Sequence, residues 1–162
     1  MRAFLLLTIF GGNVAQATIA PAIRVGDIAP DIPLIIVVLV ALRRGTEVGC
    51  LTGFAAGLLQ DVAAGGLVGV QGLTKATIGA LVGGLSGRLA VAQPLVQVPG
   101  LVLLSVAEGV GRFGLLKLFH FPASFGELMT YVVLPQALYN GFLGAAVVLL
   151  LAWTDAVRDR AA

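Results

Sequence analysis

The architecture turns on one stretch: Ile32-Pro-Leu-Ile-Ile-Val-Val-Leu-Val-Ala-Leu42, then Arg43-Arg44-Gly45, then Val48-Gly49-Cys-Leu-Thr-Gly53-Phe-Ala-Ala-Gly57-Leu-Leu59, closed by Gln60-Asp61. Two arrangements fit it. The apolar runs are two short membrane spans joined at the arginines, or one re-entrant hairpin with the arginines at its tip. A charged side chain at mid-bilayer costs about 2.5–3.5 kcal/mol on the insertion scale, and a hairpin would place two there. Two spans leave both arginines at a membrane face, so two short spans are expected.

The rest of the chain has the same character. Hydrophobic residues make up 59 % of its 162 positions and charged residues 11 %; the mean hydropathy is +1.04. A soluble domain carries roughly 25 % charged residues to cover its surface. This chain cannot cover itself that way, so its apolar residues must face lipid. The first apolar segment runs from Ala3 to Ala22, about the length that spans a hydrocarbon core. A cleaved signal peptide is the rival, with Arg2 as its charged end and Ala15 and Ala17 as a cleavage pattern. The further hydrophobic segments that follow favour an uncleaved span. Beyond Asp61 come Gly65 to Leu89, Leu95 to Phe119 and Leu128 to Trp153. The expected fold is therefore all-α: one transmembrane helical domain over residues 1–162, with six spans, two of them short. The runs lack the alternation of a membrane barrel.

Basic residues set the orientation. With the N-terminus in the cytoplasm, Arg2, Arg43, Arg44, Arg88, Arg158 and Arg160 lie inside, and Arg24 and Lys117 outside. This is the bias that the positive-inside rule requires, and it predicts both termini cytoplasmic. The formal charge of +2 does not make a nucleic-acid surface. One cysteine, Cys50, and one histidine, His120, give neither a disulfide nor a His/Cys metal site, and no cofactor is expected. Ser86, Ser105 and Ser124 lie outside any nucleophile elbow, and no phosphate-binding glycine loop occurs, so catalysis is not expected.

Two patterns carry information. Gly49, Gly53 and Gly57 recur every four residues, and so do Gly79, Gly83 and Gly87. Each triplet lines one helix face and allows close backbone approach, within the chain or against a partner. Lys75, Glu108 and Arg112 are ionisable residues inside spans. Lys75 is expected near mid-membrane. Glu108 and Arg112, four apart, can pair on one helix face. Structural pairing is favoured over a proton path, because arginine does not release its proton. Asp61 is either a helix cap or a partner contact.

The order of motifs resembles one family. Pro30-Asp31-Ile-Pro-Leu34, Leu42-Arg-Arg-Gly45 and Gly49-x-x-x-Gly53-Phe54-x-x-Gly57-Leu58-Leu59-x-Asp61 are similar to the MreD family of rod shape-determining membrane proteins. So are Gly69, Gly83-Gly84-Leu-Ser-Gly87-Arg88-Leu89 and Pro135-x-x-Leu138-Tyr139-Asn140. The likeness covers residues 28 to 145. It implies a non-catalytic scaffold of the cell-elongation machinery in the bacterial cytoplasmic membrane, organising lateral peptidoglycan synthesis. Its implied partner is an MreC-like single-span protein, with RodA, a class B penicillin-binding transpeptidase and MreB as further candidates. It also implies a fold similar to the substrate-binding component of energy-coupling-factor transporters. From that fold comes the alternative function, a vitamin or small-molecule uptake component.

Overall fold

A computed structural model describes residues 2–65, 67–87, 94–122 and 124–161. Gly66, Arg88 and Leu89 lie outside the described residues, as do the side chains of Arg2, Arg158 and Arg160. Every regular element among the described residues is a helix: α1 (Arg2–Thr18), α2 (Ile32–Arg44), α3 (Thr46–Ala64), α4 (Val70–Leu85), α5 (Pro94–Leu118), α6 (Phe125–Glu127), a π-helical stretch (Leu128–Val133) and α7 (Leu134–Ala161). The last three run on as one rod, so the described chain forms six rods.

Local chemistry sets the ends. Asp31 caps α2, its side chain accepting the Leu34 N–H, with Pro33 in the first turn where a missing N–H costs nothing. Gly45 alone separates α2 from α3. At φ +83° it accepts a backbone that other residues rarely adopt, and its N–H donates to the Ala41 carbonyl at 2.9 Å. The expected loop at the arginines is thus a one-residue corner. Pro135 lacks the N–H that the helix needs and its ring crowds the preceding turn; the widened π stretch immediately before it absorbs the misfit.

Several segment boundaries move: α1 stops at Thr18, short of Ala22, and the last rod runs from Phe125 to Ala161, beyond Leu128 to Trp153 at both ends. The third segment is longer than its apolar run, reaching Ala64 through Gln60 and Asp61, and stops at left-handed Gly65. The fourth begins only at Val70, after Gly69. Lys75 therefore lies in the second turn of α4, near the start of that helix.

The buried apolar core is small. Leu34, Ile35, Val38 and Ala41 of α2 meet Ile78 and Val82 of α4 and Leu101 of α5. Ile9, Val37 and Ala56 form a second cluster. Large apolar side chains point outward instead: Phe10, Leu51, Leu103 and Phe142 are each at least 65 % exposed. The largest fully buried side chain is Lys75. This inverts the usual sorting of apolar in and charged out. Phe125–Leu150 is long and apolar enough, by length and composition, to cross a membrane.

Glycine holds the helices together in two ways. Along α3 and α4 it brings backbone to backbone. A Cβ at Gly49 would sit 2.5 Å from the Gly79 carbonyl oxygen, one at Gly53 2.5 Å from the Lys75 carbonyl carbon, and one at Gly57 2.7 Å from the Gly72 Cα. A Cβ at Gly83 would meet the Gly45 carbonyl oxygen at 2.5 Å. Gly87 is different, with no atom of the described residues within 4 Å of its Cβ position. Between α5 and the last rod, glycine receives side chains. Val133 fills the notch at Gly109, Val102 that at Gly141 and Leu101 that at Gly144.

Candidate functional site

The polar residues converge where α2 begins, α3 ends and α4 begins, beside the middle of α5 and of the last rod. The ammonium of Lys75 lies 2.7 Å from Asp31 Oδ2 and 3.0 Å from Glu108 Oε1. It also donates to Gln71 Oε1, one helical turn back, at 3.1 Å. All three of its protons thus have acceptors, and Lys75 is fully buried. A lone ammonium in such a place would be prohibitive; two carboxylates and an amide oxygen make it tenable.

Asp31 is the hub. One carboxylate oxygen takes Lys75; the other accepts the Leu34 N–H at 3.0 Å and the Gln60 side-chain amide at 3.3 Å. Its own N–H donates to Asn140 Oδ1 at 2.7 Å, and Asn140 Nδ2 donates to Ser105 Oγ at 3.0 Å. These bonds tie α2, α3, α4, α5 and α7 together. Gln60 Oε1 is buried and accepts no hydrogen bond from the described residues.

The segment between α1 and α2 is held from both sides. Gln16 Oε1 accepts the Ile32 N–H at 2.9 Å. Gln136 donates to the Ala29 carbonyl at 3.0 Å, and the Tyr139 hydroxyl donates to the Ile23 carbonyl. Gln136, Tyr139 and Asn140 are spaced three and four residues apart, so one face of α7 makes all three attachments.

Asp61 is buried at the end of α3. Its carboxylate accepts N–H groups of Gly69 (2.8 Å), Gln71 (3.1 Å) and Gly72 (3.1 Å). It caps α4, a helix to which it does not belong, because Gly69 has no side chain with which to do so. Capping is thus its role within the chain, on a later helix than the turn before Gly65 suggested.

Of the residues singled out from the sequence, Gly49, Gly53, Gly57, Gly79 and Gly83 form the α3/α4 seam, and Gly87 stands apart from it. Lys75 and Glu108 meet across α4 and α5. Arg112 does not pair with Glu108: the Glu108 carboxylate turns to Lys75, and Arg112 is half-buried without an ion pair among the described residues. His120 is exposed at φ +56°, closing the C-terminus of α5. Asp31, Gln60, Gln71 and Ser105 were not anticipated as partners of the buried charges. Pro30-Asp31-Ile-Pro33 did mark a helix start, but capping alone gave no hint of an ion pair.

Chemically, the cluster is a lock. Its charged atoms bond to one another, and no group of three or more His, Cys, Asp and Glu among the described residues is placed to hold a metal ion. Buried, mutually bonded charges, glycine seams within and large apolar side chains outside define a helical bundle of the membrane class. The chain belongs to the MreD family: the family model, rod shape-determining protein MreD, matches residues 1–153. Members are membrane proteins that act in rod shape determination. No curated protein and no solved structure matches the chain.

Proposed function

We propose that this chain is a non-catalytic, multi-pass scaffold of the rod-shape machinery in the bacterial cytoplasmic membrane. Its six rods span the bilayer with both termini cytoplasmic. It docks an MreC-like single-span protein on its outward apolar surface and so helps to organise lateral peptidoglycan synthesis; RodA, a class B penicillin-binding transpeptidase and MreB are its wider company. The observation that supports this most is the division of labour among side chains. The buried charges bond to each other, whereas the large apolar residues are turned outward, where another helix or lipid can meet them. A catalyst or carrier would instead keep polar groups free to meet a substrate.

The test is a pull-down of the intact chain from its native membrane. A stoichiometric single-span partner is the expected result. A chain that emerges without a partner but with one tightly held vitamin-like molecule would overturn the scaffold in favour of uptake. Topology is checked separately: a periplasm-active reporter fused after Gly65 should be active, and one fused after Gly45 inactive.

A further inference from the structure

We propose that the groove between the start of α1 and the end of α2 is a binding site for one anionic phospholipid. Its phosphate lies on Arg43 and Arg44, and an acyl chain lies along Leu5, Ile36, Leu39 and Val40. This rests on the membrane placement proposed above.

A cavity of about 280 Å³ opens there, lined by Leu5, Thr8, Ile36, Leu39, Val40, Arg43 and Arg44. Its walls are apolar and both arginines border it. The pattern is amphipathic along one axis, as a phospholipid is. The antiparallel course of α1 and α2 brings Leu5 beside the last turn of α2, so the charged end of the groove lies where the chain meets water. Arg43 and Arg44 are exposed, and neither makes an ion pair among the described residues. Glu47, just beyond the Gly45 corner, is exposed and likewise unpaired. Two adjacent guanidinium groups without a carboxylate partner among the described residues are matched to a phosphate, which accepts their forked N–H donors.

A simpler role for these arginines is to fix orientation and to face the C-terminal dipole of α2. That role needs only charge in water. It does not need both side chains to border an apolar groove. Anionic lipid is also concentrated at the cytoplasmic leaflet, the face to which the basic residues assign this end.

The intact chain, purified in mild detergent, is examined by native mass spectrometry and then reconstituted in nanodiscs of phosphatidylglycerol or of phosphatidylethanolamine. One retained phosphatidylglycerol per chain, with phosphatidylethanolamine held less well, is expected. Combined Arg43→Ala and Arg44→Ala should reduce that retention by roughly tenfold or more. Val40→Trp fills the groove at unchanged charge and should also reduce it. Inorganic phosphate should not compete, because it lacks the chain. The site is disproved if the intact chain keeps no lipid, if lipid binding does not saturate at one, or if both headgroups bind equally. It is equally disproved if Val40→Trp retains the lipid, an outcome that can be read even where the arginine variant fails to accumulate. Partner capture in the pull-down is scored independently, so loss of the lipid and loss of the scaffold role give different results.

Discussion

The α3/α4 pair and the α5/α7 pair both rely on glycine, yet they would respond differently to the same change. On α3 and α4 the seam glycines Gly49, Gly53, Gly57 and Gly83 face backbone, the carbonyls of Gly79, Lys75, Gln71 and Gly45, with the Ala41 Cβ also against Gly49. Backbone inside a helix cannot step aside without moving the helix. On α5 and α7 the facing atoms are side chains, of Val102 and Leu101. Those can change rotamer. The first seam is a fixed distance between two rods; the second is a set of notches with filled knobs. In lipid, where no hydrophobic effect presses helices together, the seam gains close van der Waals contact along its length and the notches only locally.

The largest expected effect tests the rigid seam. Gly53→Leu should destabilise the chain by about 5 kcal/mol and abolish folded yield in membranes, because the side chain points into the backbone of Lys75 and Ala76. Normal accumulation of this variant would show that α3 and α4 can separate and would erase the distinction between the two pairs.

Lys75 belongs to the seam and to the polar cluster at once: its carbonyl faces Gly53 and its ammonium bonds Asp31 and Glu108. Lys75→Met should cost about 3–5 kcal/mol in detergent unfolding, since it leaves two carboxylates buried without their cation. Adding Asp31→Asn and Glu108→Gln should recover much of the loss. No recovery would mean that the lysine stem, and not its charge, holds α4 in place.

Asp61 sharpens the same contrast through the backbone of α4. Asp61→Asn keeps an acceptor and should cost about 1 kcal/mol, whereas Asp61→Leu strands three N–H groups and should cost about 2–3 kcal/mol. Cell shape should follow the same order if capping is its role; loss of shape with Asp61→Asn at normal yield would point to a partner contact.

The smallest effect tests the notches. Gly144→Ala meets Leu101, chiefly its flexible end, and should change stability by less than about 1 kcal/mol, and Gly87→Ala, with no described atom within 4 Å, should change it hardly at all. A Gly144→Ala loss as large as that of Gly53→Ala would make the two glycine pairs one kind of contact.

Composition, run length and glycine spacing were enough to read this chain as an all-helical membrane-type bundle and to mark five residues that meet in one seam. Those features are local: a helix repeats every 3.6 residues, so a four-residue glycine spacing defines a face whatever lies opposite. Spacing could not say what lies opposite. That Gly87 meets no described atom within 4 Å, that Glu108 turns from Arg112 on its own helix to Lys75 on another, and that Asp61 caps a helix beginning nine residues later all depend on how the rods cross. Asp31 illustrates this most fully. Its place between two prolines fixed it as a helix start, but its pairing with Lys75, Gln60 and Asn140 joins residues 29 to 109 positions apart. In a chain with so few charges, the cost of leaving any of them unpaired in the interior selects the packing, and that selection is made only when the rods are brought together.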